Sequence, residues 1–358
     1  MNKNKERSEK IALMVCTQAR GGMRSVVEAY ERDGLFERWN FQSLWTHSEG
    51  NAIHKAMIGL KAYFTMLYLL IRGKVSLMHV HAAMRGSFWR KSFFIFTARC
   101  FGVPCILHLH GSEMKTFYNG LSGFGKNLVK WSLEHVEVVI VLSESWRVFV
   151  SNAAPKANIN IINNYVSLPK EPYHHVNSTT FDVLFLGILG KRKGIYDLLE
   201  SWPTILSAVP QARLLIGGNG ELEQAKTKAE MLNIGASVQF LGWIDGERKI
   251  DLLKNADAFV LPSYNEGLPM SVLEAMSWSK PVVTTRVGGI PELITDGMDG
   301  LLIDAGDQQQ LSNALIKLGK NVDFRKSIGE NGFNRIKNAF SDVSVLPQLE
   351  SIYSKLLD

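Results

Sequence analysis

Pro262-Ser263-Tyr264-Asn265-Glu266-Gly267-Leu268-Pro269, running on through Met270-Ser271-Val272-Leu273-Glu274-Ala275, is the stretch that decides the fold. An apolar run, 258–261, precedes it and reads as a short buried strand. A Gly/Pro loop follows, and a helical pattern opens near Leu268, with Pro269 suited to its first turn. Glu266 therefore falls in the loop just before a helix N-terminus, and Glu274, eight residues on, about two turns inside. The unpaired amides of such a first turn attract a phosphate or a polar sugar group. Glu274 lies among Val272, Leu273 and Met276, and a buried carboxylate there needs a hydrogen-bond partner. A ribose diol would supply one.

Outward from this stretch, strand-like and helical segments alternate along almost the whole chain. Strands are expected at 11–17, 41–46, 77–82, 105–110, 136–142 and 159–162, with helices such as 24–33, 53–72, 87–101 and 121–135 between them. The alternation breaks at 168–180, with Pro169, Pro172, two histidines and a Ser/Thr cluster. It restarts with strands at 181–189, 213–217, 238–241, 258–261, 281–285 and 300–303, and ends in two helices, 323–339 and 343–357. Dense Val, Ile and Leu runs joined by helices mean βαβ units and parallel sheets. The expected class is α/β, with two consecutive Rossmann-like, doubly wound domains, 1–168 and 181–340. Residues 169–180 are read as a linker, and 341–358 as a C-terminal helix that can return to the first domain. Ligands of such sheets bind at the carboxyl ends of strands, so the site is expected in the cleft between the domains.

The composition, 46% hydrophobic and 21% charged over 358 residues, is that of a globular protein and names no function. Charge is more informative. Residues 1–170 hold 22 lysines and arginines against 11 carboxylates, whereas the remainder holds 18 against 23. A basic half beside an acidic one suggests that the first meets an anionic partner. The segment 85–101 sets Phe88, Trp89, Phe93, Phe94 and Phe96 among Arg85, Arg90, Lys91 and Arg99, which suits an anionic membrane surface. No nucleic-acid motif accompanies the charge. The apolar run 56–71 carries Lys61 and is shorter than the roughly 20 residues of a spanning helix, so it reads as a core or surface helix. Three cysteines without metal-ligand spacing, and a polar start without a signal pattern, lead to the expectation of a cytoplasmic protein, peripheral on the inner face of the cell membrane.

Glu266 and Glu274, inside Ser-x-x-Glu-Gly-Leu-Pro, resemble the E-x7-E signature of glycosyltransferase family 4, retaining enzymes of the GT-B fold. Phe185-Leu186-Gly187 through Lys193-Gly194, Gly217-Gly218-Asn219-Gly220, Leu241-Gly242-Trp243 and Gly288-Gly289-Ile290-Pro291-Glu292 are similar to successive elements of that family. Gly21-Gly22 and His108-Leu109-His110-Gly111 resemble its N-terminal motifs, so the likeness covers essentially the whole chain. The members it most resembles build bacterial surface polysaccharides such as lipopolysaccharide or capsule.

The resemblance implies a division of labour. Gly21 and Gly22 would let the backbone approach the donor diphosphate, and Lys193 would neutralise it as leaving group. Glu274 would bind the nucleotide ribose. Glu266, with the amides of Gly267 and Leu268, would hold donor-sugar hydroxyls, and His110, with His108 as its competitor for the role, would touch the donor sugar or acceptor near the reacting carbon. Family members usually carry an arginine after the strand-end glycine, where this chain has Ile188, so Arg192, or else Lys191, is the expected replacement. No Asp-x-Asp motif occurs, and no metal or cofactor is expected. The implied partners are a UDP- or GDP-sugar donor, a saccharide or lipid-linked saccharide acceptor and a membrane surface, with no nucleic acid. Two carboxylates could also serve a glycoside hydrolase, but their loop-and-helix placement argues otherwise. Gly217-Gly218-Asn219-Gly220 lacks the spacing a nicotinamide dehydrogenase needs. A non-catalytic GT-B partner that binds nucleotide sugars is the alternative that Ile188 suggests.

Overall fold

The computed structural model describes residues 10–169 and 179–358; most of the expected linker and the polar start lie outside them. The chain divides into two compact units, one ending at Asn164 and joined by Val345–Asp358, the other Tyr165–Ser344.

In the first unit, β1 (Ile11–Cys16), β2 (Phe41–Trp45), β3 (Val75–Ala82), β4 (Cys105–Leu109), β5 (Val138–Val141) and β6 (Ile159–Ile161) pair in parallel in the order β2-β1-β3-β4-β5-β6. Burial on both faces is why the strands read as continuous apolar runs rather than alternating ones. On β1, Leu13 and Val15 join a core with Met66, Leu70, Phe88 and Phe94, while Met14 touches His81. Polar caps start several of the covering helices. Asn51 accepts from the His54 amide at 2.9 Å to begin Ala52–Ile71, and Ser122 and Ser143 begin Gly123–Glu134 and Glu144–Ala153 in the same way.

In the second unit, β7 (Phe181–Leu186), β8 (Ala212–Gly217), β9 (Val238–Gly242), β10 (Ala258–Leu261), β11 (Val282–Thr285) and β12 (Leu301–Ile303) are again parallel, in the order β12-β11-β10-β7-β8-β9. Counted from β7, that is the dinucleotide-binding order. Each sheet reverses its winding beside its first strand, between β1 and β3 and between β7 and β10. Successive loops leave such a point in opposite directions and open a crevice at the carboxyl ends.

Three local expectations are corrected. The signature helix spans Met270–Ser277 with Pro269 as its N-cap, so Glu274 lies about one turn inside, not two. His110 lies one residue past β4, its amide donating to Ala82 O at 2.9 Å. The segment 85–101 does not present one aromatic-cationic face. Gly86–Cys100 is a helix whose Phe88 and Phe94 are core and whose Lys91 is only 1% exposed, while Arg99 pairs with Glu137. A helix turning every 3.6 residues cannot keep five aromatics and four cations on one side.

Candidate functional site

The crevice between β7 and β10 is built by two loops pressed together. Gly194 has φ +70°, and a Cβ there would stand 1.9 Å from the carbonyl oxygen of Pro262. Gly288 has φ +58°, and its Cβ would meet Glu266 O at 1.8 Å. Only glycine permits both approaches. Tyr264 N–H donates to Arg192 O at 2.9 Å, tying the loop after β10 to the short 3-10 turn Lys191–Lys193 after β7. This packing sets the Lys193 ammonium 2.5 Å from Glu266 Oε1. The same oxygen accepts from Ser263 Oγ at 2.7 Å, and the Ser263 carbonyl accepts from Thr285 Oγ1 at 2.5 Å. Glu266 is 5% exposed, and a cation and a hydroxyl satisfy its buried carboxylate.

Glu274 is half-buried, and Lys249 Nζ, on the helix Gly246–Asn255, lies 2.6 Å from its Oε1. A protein cation therefore satisfies this carboxylate, and a ribose is not needed to explain it. Gly267 and Leu268 are both buried, and the Gly267 carbonyl accepts the Gly289 amide at 2.8 Å. Ile188 is 46% exposed, Arg192 is exposed too, and the described residues give the Arg192 guanidinium no ion pair. It stands on the same turn as Lys193 and is free to meet an anion. Thus Lys193, Glu266, Arg192, Gly267, Leu268 and Glu274 share one end of one sheet. Ser263 and Lys249 belong to the same site. Ser263 stood in the quoted motif without a role, and Lys249 left no signal, because its partner is 25 residues away on another helix.

In the first unit, Gly21 follows β1 at the reversal point with φ +139° and nothing within 4 Å of where a Cβ would be. It caps the helix Gly22–Arg32, which has no side-chain cap and no acidic residue in its first turn. Those amides suit an anion. His110 belongs to a stack of four imidazoles. His79 and His81 come from β3, His108 from β4, and ring centroids of contacting pairs lie 4.1–5.3 Å apart. His79 Nδ1 is 2.6 Å from the Tyr353 hydroxyl, and its Nε2 is 3.2 Å from His108 Nδ1. Burial pushes His79 and His110 down to about 3 and holds His81 and His108 well below the ordinary imidazole range. His79, His81 and His108 each place a nitrogen within 4.8 Å of the others, close enough to consider a metal. Hydrogen-bond contacts already engage both nitrogens of His79, both of His81 and Nδ1 of His108.

Residues 170–335 match the family model for glycosyl transferases group 1. The chain is 27% identical over 234 residues to the capsular polysaccharide biosynthesis glycosyltransferase CapM of Staphylococcus aureus, covering 61% of this chain and 62% of that protein. It is 25% identical over 319 residues to an Escherichia coli UDP-Gal:alpha-D-GlcNAc-diphosphoundecaprenol alpha-1,3-galactosyltransferase, covering 82% of this chain and 79% of that one. Among solved structures, sucrose-phosphate synthase of Thermosynechococcus elongatus superposes with a TM-score of 0.80 at 19% identity, over 97% of this chain and 99% of its own. Two parallel six-stranded units, the paired carboxylates of the second and these likenesses agree: the chain is a glycosyltransferase of the GT-B fold, similar over residues 170–335 to the glycosyl transferases group 1 and resembling family 4.

Proposed function

We propose that the chain transfers a sugar from a UDP- or GDP-sugar to a saccharide or lipid-linked saccharide, with retention at the anomeric carbon, in the assembly of a bacterial surface polysaccharide. The observation that carries this reading is the Lys193–Glu266 pair in the crevice between β7 and β10. A donor diphosphate entering there would draw the ammonium toward its oxygens, and the carboxylate it leaves could accept hydrogen bonds from sugar hydroxyls. As the anomeric C–O bond breaks, Lys193 and Arg192 meet the charge growing on the diphosphate. The acceptor oxygen attacks from the same face, and its proton passes to the departing phosphate oxygen. Glu274 and Lys249 would hold the ribose. No step draws on a metal, so turnover should survive EDTA. The test is a panel of UDP- and GDP-sugars, first for thermal stabilisation and then for transfer, with the anomeric configuration of the product read by NMR. Inversion would refute the mechanism. Binding without transfer to any acceptor tried would favour the non-catalytic partner.

We also propose that the first unit works on the anionic inner face of a membrane, through a wider surface than 85–101. Ile53, Met57, Leu60, Phe64, Tyr68 and Ile71 recur at helical spacing along Ala52–Ile71, and all are exposed. Tyr63 stacks on Phe93 at 5.0 Å, and Phe96 meets Trp131 at 5.8 Å, so the stripe continues over Gly86–Cys100 onto Gly123–Glu134, where Phe124 is 80% exposed. Residues 51–133 contain eleven lysines and arginines and a single carboxylate, Glu113. An apolar face within so one-signed a field fits a bilayer of anionic lipid. No helix among the described residues is long and apolar enough to cross a membrane.

A further inference from the structure

We infer that His81, held by Met14, fixes His110 as the Nε2–H tautomer, so that His110 offers a bare Nδ1 to a hydroxyl at the carboxyl end of the sheet. The inference rests on reading His110 as a residue that touches sugar. It begins from two contacts: His81 Nδ1 lies 2.8 Å from His110 Nε2, and His81 Nε2 lies 3.1 Å from Met14 Sδ. His81 is fully buried, and the low pKa that burial imposes leaves both rings neutral at physiological pH. A neutral imidazole has one N–H and one lone-pair nitrogen. A thioether has no hydrogen to give, so only His81 can donate across the 3.1 Å contact. The opposite assignment would set two lone pairs against each other in a dry interior.

The rest follows by counting. With its proton on Nε2, His81 has a bare Nδ1, and the 2.8 Å contact then needs a donor from the other side. That donor is His110 Nε2–H, which leaves His110 Nδ1 without a proton. His110 Nδ1 has no hydrogen bond to a described residue and is not among the sealed, unpaired atoms. The second chain of contacts, Tyr353 to His79 to His108, touches the first only by ring stacking and does not alter the count. Reversing the lock would turn the outward nitrogen from acceptor to donor and change which sugar group it could orient. With a bare Nδ1, His110 accepts a hydrogen bond from a hydroxyl and so orients it. His81 and Met14 are positioning residues, acting through His110.

The test is a long-range proton–nitrogen correlation spectrum of the full chain labelled with 15N-histidine at pH 7, with His110 assigned by His110→Gln. The expected result is a protonated Nε2 and a bare Nδ1 in the parent. Met14→Leu, close in volume, should bring in the second tautomer and lower kcat for transfer severalfold with donor KM unchanged. Protonation on Nδ1 in the parent, or tautomer populations unmoved by Met14→Leu, overturns the lock. The parent spectrum decides even if the variant does not fold. Tautomers that shift while transfer holds would uphold the lock and refute instead the role given to His110 above.

Discussion

The two units treat buried charge in opposite ways. In the second, both signature carboxylates at the sheet's carboxyl end are paired with a cation: Glu266 with Lys193, Glu274 with Lys249. In the first, three sealed histidines share their protons with one another, with a tyrosine hydroxyl and with a thioether, and Lys91 is sealed with no hydrogen-bond partner. Burial brings that lysine down to about 7. A site made of ion pairs can exchange partners when a charged donor arrives. One made of neutral rings keeps its geometry and presents directed hydrogen bonds instead.

Acid should separate the units most sharply. His79, His81 and His108 have folded-state pKa values far below the roughly 6.5 of an unfolded chain, so the unfolded state binds more protons below that pH. The stability they confer is intact above pH 6.5 and is lost as pH falls, by about 1.4 kcal/mol per pH unit for each ring. By pH 5 the three together should weaken the first unit by roughly 6 kcal/mol. Urea unfolding followed by hydrogen exchange at pH 8 and pH 5 would show it. A first unit as stable at pH 5 as at pH 8 would break the contrast.

Next in size is the buried pair. Glu266→Gln leaves the Lys193 ammonium without its counter-charge and should lower stability by about 3 kcal/mol and turnover by about a hundredfold. Adding Lys193→Met should restore much of the stability and none of the turnover. If the single variant unfolds at the parent's urea midpoint, the pair is ornamental. For the membrane face, Lys55, Lys61 and Arg72 changed together to Gln should weaken binding to phosphatidylglycerol vesicles by about 1 kcal/mol each at low salt. Lys226 and Lys228, in the second unit, serve as controls. Equal losses from both sets would remove the first unit's special standing. Smallest is Glu274→Gln, whose half-exposed partner makes about 1 kcal/mol the expected loss, seen as a raised KM for donor with kcat little changed.

The alternation of apolar runs with helical segments is legible in the sequence, and each strand expected from it has a counterpart in the two sheets, whereas the order of the strands is not written in that alternation. Local placement was legible too: Glu266, Lys193 and Gly194 lie in short motifs at strand ends, and the fold brings those motifs together. What escaped reading depends on contacts between distant segments. Ala52–Ile71 is apolar nearly all round, so nothing in its pattern tells the exposed Phe64 from the buried Met66. The histidine stack needs β3 and β4 in register, with His81 opposite His108, and no spacing within either strand announces the other.

Tyr353, the hydroxyl that closes the stack on His79, lies on a helix spanning Asp342–Leu357, and Val345–Asp358 packs with the first unit. During synthesis, the strands that carry the histidines leave the ribosome long before the residue that covers them. At about 5–20 residues per second, the some 190 residues between Asn164 and Tyr353 take on the order of 10–40 s. For that interval the nascent first unit must hold four imidazoles without this partner, while the second unit can complete its own sheet. Maturation therefore finishes at the N-terminal half of the molecule, and a lesion near the end of the gene would be felt first among residues encoded near its beginning.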